Sequence, residues 1–130
     1  MSDGLSEDAA GRLVERLRGL AGDELRGAIR YEETAYDLLY IRDDVAETYS
    51  EDEIAAAVDD IALEAMGDPE RLSGLYRMGQ LEATARWFSE GILVHVPADG
   101  TTGVAVSFDH TVSAQLGTIV STAAAFVEAE

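Results

Sequence analysis

Apolar residues recur at helical spacing in the first segment of the chain, where Ala9, Leu13, Val14, Leu17 and Leu20 line one side of residues 6–20, opposite Glu7, Arg12, Glu15 and Arg16. The pattern predicts an amphipathic helix that stops near Gly22, because glycine readily takes the left-handed conformation that ends helices. The period then shortens to two. Leu25, Gly27, Ile29 and Tyr31 alternate with Arg26, Ala28, Arg30 and Glu32, and after Glu33-Thr34 an extended pattern resumes over residues 36–41, so a β-hairpin is expected. In its second strand Leu39 and Ile41 oppose Tyr36, Leu38 and Tyr40, which makes both sides apolar and calls for layers on both faces of the sheet.

Asp43 and Asp44 can cap a short helical turn through Tyr49. Ser50-Glu51-Asp52-Glu53 then supplies a capping box, serine at the cap and glutamate three residues on, so the main middle helix is expected to start there. Its stripe is Ile54, Val58, Ile61 and Ala65. Gly67 ends it and Asp68-Pro69 opens a short helix through Arg77, unless the two merge into one bent element. Alternation returns at Leu81, Ala83, Ala85 and Trp87, at Ile92, Val94 and Val96, and at Val104, Val106 and Phe108, with turns at Ser89-Glu90-Gly91 and Asp99-Gly100, predicting an antiparallel meander. Val112, Leu116, Ile119, Val120, Ala123 and Val127 share the face of a closing helix, with Asp109 or Thr111 as its cap. The order is α-β-β-α-(α)-β-β-β-α, read as one α+β domain over residues 6–130 after a flexible stretch at residues 1–5.

Composition changes the picture in one respect. Nine arginines, no lysine and 26 acidic residues give a formal net charge of −17 over 130 residues. Lysine is ordinarily among the commonest residues, so the balance points to a halophilic cytoplasm, where molar salt screens self-repulsion over roughly 3 Å. Because such salt also screens steering, the charge itself says little about partners. No apolar run approaches the length of a membrane span and the N-terminus lacks a basic region followed by an apolar one, so a cytoplasmic protein without membrane contact is expected. The absence of cysteine excludes disulfides, thiolate metal sites and cysteine nucleophiles.

Candidate chemistry is sparse. His95 lies out of phase with the valines of its strand and His110 follows Asp109, an arrangement that can orient an imidazole. No G-x-S-x-G elbow accompanies them, so a catalytic role is not expected and both read as structural residues. The acid clusters Asp43-Asp44, Glu51-Asp52-Glu53 and Asp59-Asp60 lack the calcium-loop pattern, and Gly11, Gly19, Gly22 and Gly27 form no phosphate loop, so neither a metal nor a cofactor is expected. Arg12 with Arg16 and Arg26 with Arg30 share faces, but the acids around them favour intramolecular ion pairs over nucleic acid. Tyr31, Tyr36, Tyr40, Tyr49, Tyr76 and Trp87 are candidates for the core or for an interface.

The succession of a helix, a hairpin, a middle helix, a three-stranded meander and a last helix over residues 6–128 resembles the roadblock/dynein-light-chain family of the roadblock/longin and profilin-like group. The run Tyr36-Asp37-Leu38-Leu39-Tyr40-Ile41-Arg42-Asp43-Asp44-Val45 also resembles small acidic haloarchaeal proteins. The roadblock resemblance implies a five-stranded antiparallel sheet with the first and last helices on one face and the middle helix on the other. It further implies a non-enzymatic homodimer that serves as a platform for a partner protein such as a small GTPase. The pairing surface would be Ile54, Val58 and Ile61 of the middle helix with Leu81, Ala85 and Trp87 of the third strand. The alternative is a small-ligand sensor with a tyrosine-lined pocket between the sheet and the middle helix.

Overall fold

The first helix, α1 (Ser2–Ala21), begins ahead of the expected Ser6 and stops where glycine was expected to stop it, Gly22 having a φ of 60°. After a single 3-10 turn come strands β1 (Leu25–Glu32) and β2 (Ala35–Ile41), then helices α2 (Asp43–Thr48), α3 (Glu51–Ala65) and α4 (Pro69–Tyr76). Strands β3 (Thr84–Phe88), β4 (Gly91–Pro97) and β5 (Thr102–Phe108) precede the last helix, α5 (Leu116–Ala129). The computed structural model describes residues 2–33, 35–65, 69–98, 102–110 and 115–129. The expected helix break at Gly67-Asp68, the turn at Asp99-Gly100, the cap at Thr111, Val112 and the side chain of Ala65 lie outside what it describes.

The strands form one antiparallel sheet in the order β2-β1-β5-β4-β3, with β2 and β3 at its edges. On one face α1 and α5 pack side by side. Leu13, Leu17, Ile119, Ala123 and Phe126 from these helices meet Leu25, Ala28, Ile92, Val94, Val96, Val104, Val106 and Phe108 in a dry core. Burying each large aliphatic side chain there contributes about 1.5–3 kcal/mol. On the other face α3 lies across the sheet, and Val58 and Ile61 pack on Ile29, Tyr31 and Ala105 in a smaller cluster. The expected capping box holds α3 at its start, the Ser50 amide donating to Glu53 Oε1 at 2.8 Å and the Glu53 amide to Ser50 Oγ at 3.2 Å.

Two β-bulges reset the alternation read from the sequence. The extra residue Arg26, between the pairs Leu25↔Phe108 and Gly27↔Ser107, puts Leu25 and Ala28 on the α1/α5 face and Ile29 and Tyr31 on the α3 face. The four residues expected on one side of β1 are therefore divided. Leu39, between Ala28↔Tyr40 and Ile29↔Leu38, does the same in β2: Leu39 and Tyr40 pack on the α1/α5 core, while Tyr36 packs toward α3. One extra residue shifts the period-two pattern by half its length, which exchanges faces for everything beyond it. Strand β3 is also shorter than its alternation implied, beginning at Thr84 rather than Leu81.

Candidate functional site

Strand β3 leaves one of its two sides without a strand partner, and natural proteins usually guard such edges with charge, proline or a bulge. This edge has little of that. Its residues are Thr84-Ala85-Arg86-Trp87-Phe88, and its one charge is turned inward toward α3. Trp87 is 61% exposed and Phe88 56% exposed, and Leu75, Tyr76, Met78 and Leu81 of the preceding segment are exposed as well. Trp87 is held in place by His110, which stacks on it with ring centroids 4.8 Å apart while its Nε2 donates to the Phe88 carbonyl.

Behind the edge a polar chain runs from the sheet to α3. His95 on β4 is 2% exposed; its Nε2 meets the Tyr31 hydroxyl of β1 at 2.7 Å and its Nδ1 meets Glu64 Oε1 of α3 at 2.8 Å. With the ring proton assigned to Nδ1, the imidazole donates to Glu64 and accepts from Tyr31. Glu64 Oε2 accepts from Arg86 at 3.0 Å, and Arg86 also reaches Asp60, one helical turn before Glu64, at 2.5 Å. Burial opposes ionisation of Glu64, but the hydrogen bonds from His95 and Arg86 outweigh it and hold the carboxyl below its ordinary value. The bonds that Arg86 donates to Asp60 and Glu64 raise its pKa. Tyr31 fits because β5 has glycine beneath it: a Cβ on Gly103 would lie 2.6 Å from the Tyr31 oxygen and 2.9 Å from Pro97 Cα. The arrangement pins α3 to three strands and leaves no ring nitrogen of His95 open to a substrate.

A second polar cluster closes the opposite end of the sheet. Arg42 bonds Asp44 at 2.6 and 3.1 Å, Asp109 at 3.0 Å and the Asp23 carbonyl at 2.8 Å, which ties the start of α2 to the ends of β1 and β5. Its partners Asp44 and then Asp109 raise its pKa, and Arg42 in turn lowers that of Asp44. Between the two clusters, α2 and the first half of α3 roof a cavity of about 540 Å³ over the sheet. Its walls are mainly aliphatic, including Ile29, Leu38, Ile41, Val45, Ile54 and Leu93, with Arg26 and Arg86 among the few charged groups.

The six residues expected to pair with a copy are dispersed. Leu81, Ala85 and Trp87 are exposed, the last two on the side of β3 that continues the α1/α5 face, whereas Val58 and Ile61 are buried against the chain's own sheet and Ile54 is half-buried beside the cavity. Leu63 is what α3 offers outward. Of the tyrosines, Tyr49 lines the cavity; Tyr31 lies in the polar chain, Tyr36 packs on the second cluster, Tyr40 lies under Arg18 and Tyr76 is on the surface, so the pocket is aliphatic and not tyrosine-lined. Glu64, Arg86 and Phe88 escaped the sequence reading, and Arg26, read there as sharing a face with Arg30, lines the cavity without it. Only the phase of His95 hinted at the first two, because a histidine on the α3 face needs a partner from α3. Among the described residues no group of three or more His, Asp or Glu is placed to hold a metal ion, and no helix is long and apolar enough to cross a membrane.

Comparison with solved structures places the fold. Myxococcus xanthus MglB superposes with a TM-score of 0.56 at 12% identity, over 95% of this chain and 90% of that one. The gliding protein MglB from Thermus thermophilus gives 0.53 at 15% identity, over 96% and 93%, and an MglB with tetrameric arrangement gives 0.52 at 15%, over 95% and 90%. These likenesses establish the roadblock-like architecture expected from the element order. No curated protein matches by sequence. Residues 11–128 match the family described as a domain of unknown function, DUF7522, and the chain belongs to that family.

Proposed function

We propose that the chain is a non-enzymatic regulatory module that pairs with a second copy through the β3 edge and presents the rest of its surface to a partner protein in a salt-rich cytoplasm. The observation that carries this reading is the unguarded edge bearing the exposed Trp87 and Phe88, with His110 stacked on Trp87. Pairing of two β3 strands would satisfy their free backbone groups and cover both aromatics, as a symmetric contact must. Leu81 and Ala85 would join that contact, and Ile54, Val58 and Ile61 would support it from beneath by setting the position of α3. The tetrameric arrangement of one MglB supports assembly as a use of this fold. A small GTPase is the partner that the roadblock resemblance favours, on the side away from the paired edges.

Static light scattering tests the pairing. The native chain is expected at twice the single-chain mass and Trp87→Glu at the single-chain mass with its circular dichroism unchanged; a native chain that stays single at all concentrations contradicts the proposal. The salt-rich setting has its own test: unfolding midpoints should rise between about 0.1 M and about 1 M KCl, as the screening length falls from about 10 Å to about 3 Å, and flat midpoints would remove it. A second reading, a small-ligand regulatory domain, has the cavity roofed by α2 and α3 in its favour.

A further inference from the structure

The bulge in β1 does more than change the register. It places Arg26 in the wall of a mainly aliphatic cavity, and bulges commonly redirect a side chain in this way. Gly91 of β4, on the far side of β5, makes room for it: a Cβ there would sit 3.4 Å from Arg26 Cδ and 3.2 Å from the Phe108 carbonyl oxygen, so the arginine stem reaches past the end of β5 to a position without a side chain. The floor beside it is built of small residues, Gly27, Ala105 and Ser107, which gives the cavity its depth.

The charges around the cavity differ in how firmly they are held. Arg86 is taken up by Asp60 and Glu64 at 2.5 and 3.0 Å, and Arg42 holds Asp109 at 3.0 Å. Arg26 reaches the other oxygen of Asp109 at 3.4 Å, longer than the 2.7–2.9 Å or so typical of a charge-assisted bond. Asp60 is ion-paired to Arg86, which it shares with Glu64, and Glu90, the other acidic residue of the lining, is exposed. The guanidinium best placed to exchange its present contact for a ligand is therefore Arg26, and its planar fork suits a carboxylate. The cavity volume of about 540 Å³ is in the range of small-molecule sites, roughly 300–1,000 Å³.

We propose that this cavity binds a small amphipathic carboxylate, with an aliphatic body between α3 and the sheet and its carboxylate on Arg26. The inference rests on the cavity being a ligand site and is independent of pairing through β3. Because molar salt screens long-range attraction, recognition of the anion rests on local contact with Arg26 and on the apolar walls.

The test titrates the native chain with octanoate, octanol and octylammonium while following backbone amide shifts. Octanoate is expected to give saturable shifts at Gly27, Gly91 and Ser107 and to bind roughly tenfold tighter than either congener, the effect of one charge-assisted contact. Arg26→Gln should abolish that preference and leave octanol binding unchanged. Ala57→Trp, at an exposed position of α3 on the cavity wall, should block all three without disturbing the core. Equal binding of octanoate and octanol by the native chain overturns the carboxylate assignment while leaving a ligand cavity. Absence of saturable shifts with all three probes overturns both. Shifts at these amides that follow protein concentration instead of probe concentration would mean that a second copy fills the cavity, which also overturns the proposal.

Discussion

The two faces of the sheet are built on different principles. Beneath α1 and α5 the core is apolar, and Phe108, Val94, Val104 and Ile119 have no measurable contact with solvent. Beneath α3 a small apolar cluster shares the face with a buried hydrogen-bonded chain and an open cavity. A dry core contributes stability in proportion to the area it removes from water and tolerates many partners for any one residue. A polar chain such as Tyr31–His95–Glu64–Arg86 adds little net stability but admits few alternative arrangements, so it fixes where α3 sits. The first face makes the domain fold; the second positions the helix, the cavity and the edge on which recognition would depend.

Substitutions that strike one face at a time test that division, beginning with the largest effect. Phe108→Ala should cost about 3–5 kcal/mol in denaturant unfolding, because it empties a fully buried site of the α1/α5 core; a loss below about 1 kcal/mol would show that this face is not the main source of stability. Gly103→Ala should cost about 1–3 kcal/mol, since the new methyl collides with the Tyr31 hydroxyl and with Pro97. If Tyr31→Phe in the same background restores part of the loss, the collision with the hydroxyl is established; if it adds a further independent loss, the account of that face is mistaken.

The smallest effect is a pH dependence. Because the folded chain holds the Glu64 carboxyl below its ordinary value of 4.5, the stability this residue contributes is fully present above that value and is lost as pH falls through the lower folded one. The stability difference between the native chain and Glu64→Gln should therefore be greatest above about pH 4.5 and narrow below it. A difference that stays constant through acid would separate Glu64 from the polar chain.

The order of elements was readable because it depends on local signals. The Ser50/Glu53 box, the Gly22 stop and the alternation of Ile92, Val94 and Val96 each act within a few residues. What escaped was any feature set by pairing between distant strands. Nothing in the residues around Arg26 or Leu39 announces an extra position, since a bulge is defined only against the strand opposite. The same holds for Glu64 and Arg86, whose bonds to residues 22–31 positions away exist only once α3 has crossed the sheet. Ile54, Val58 and Ile61 were legible as an apolar stripe, but periodicity cannot tell whether a stripe faces the chain's own sheet or another copy.

Hydrogen exchange along β3 tests the central claim most directly. If two β3 edges pair, the Thr84–Phe88 amides that do not bond to β4 should be protected in the native chain and become fast-exchanging in Trp87→Glu, with the β4 and β5 amides protected in both. Exchange of those β3 amides at the rate of free backbone in the native chain, at concentrations where the rest of the sheet is protected, would contradict it.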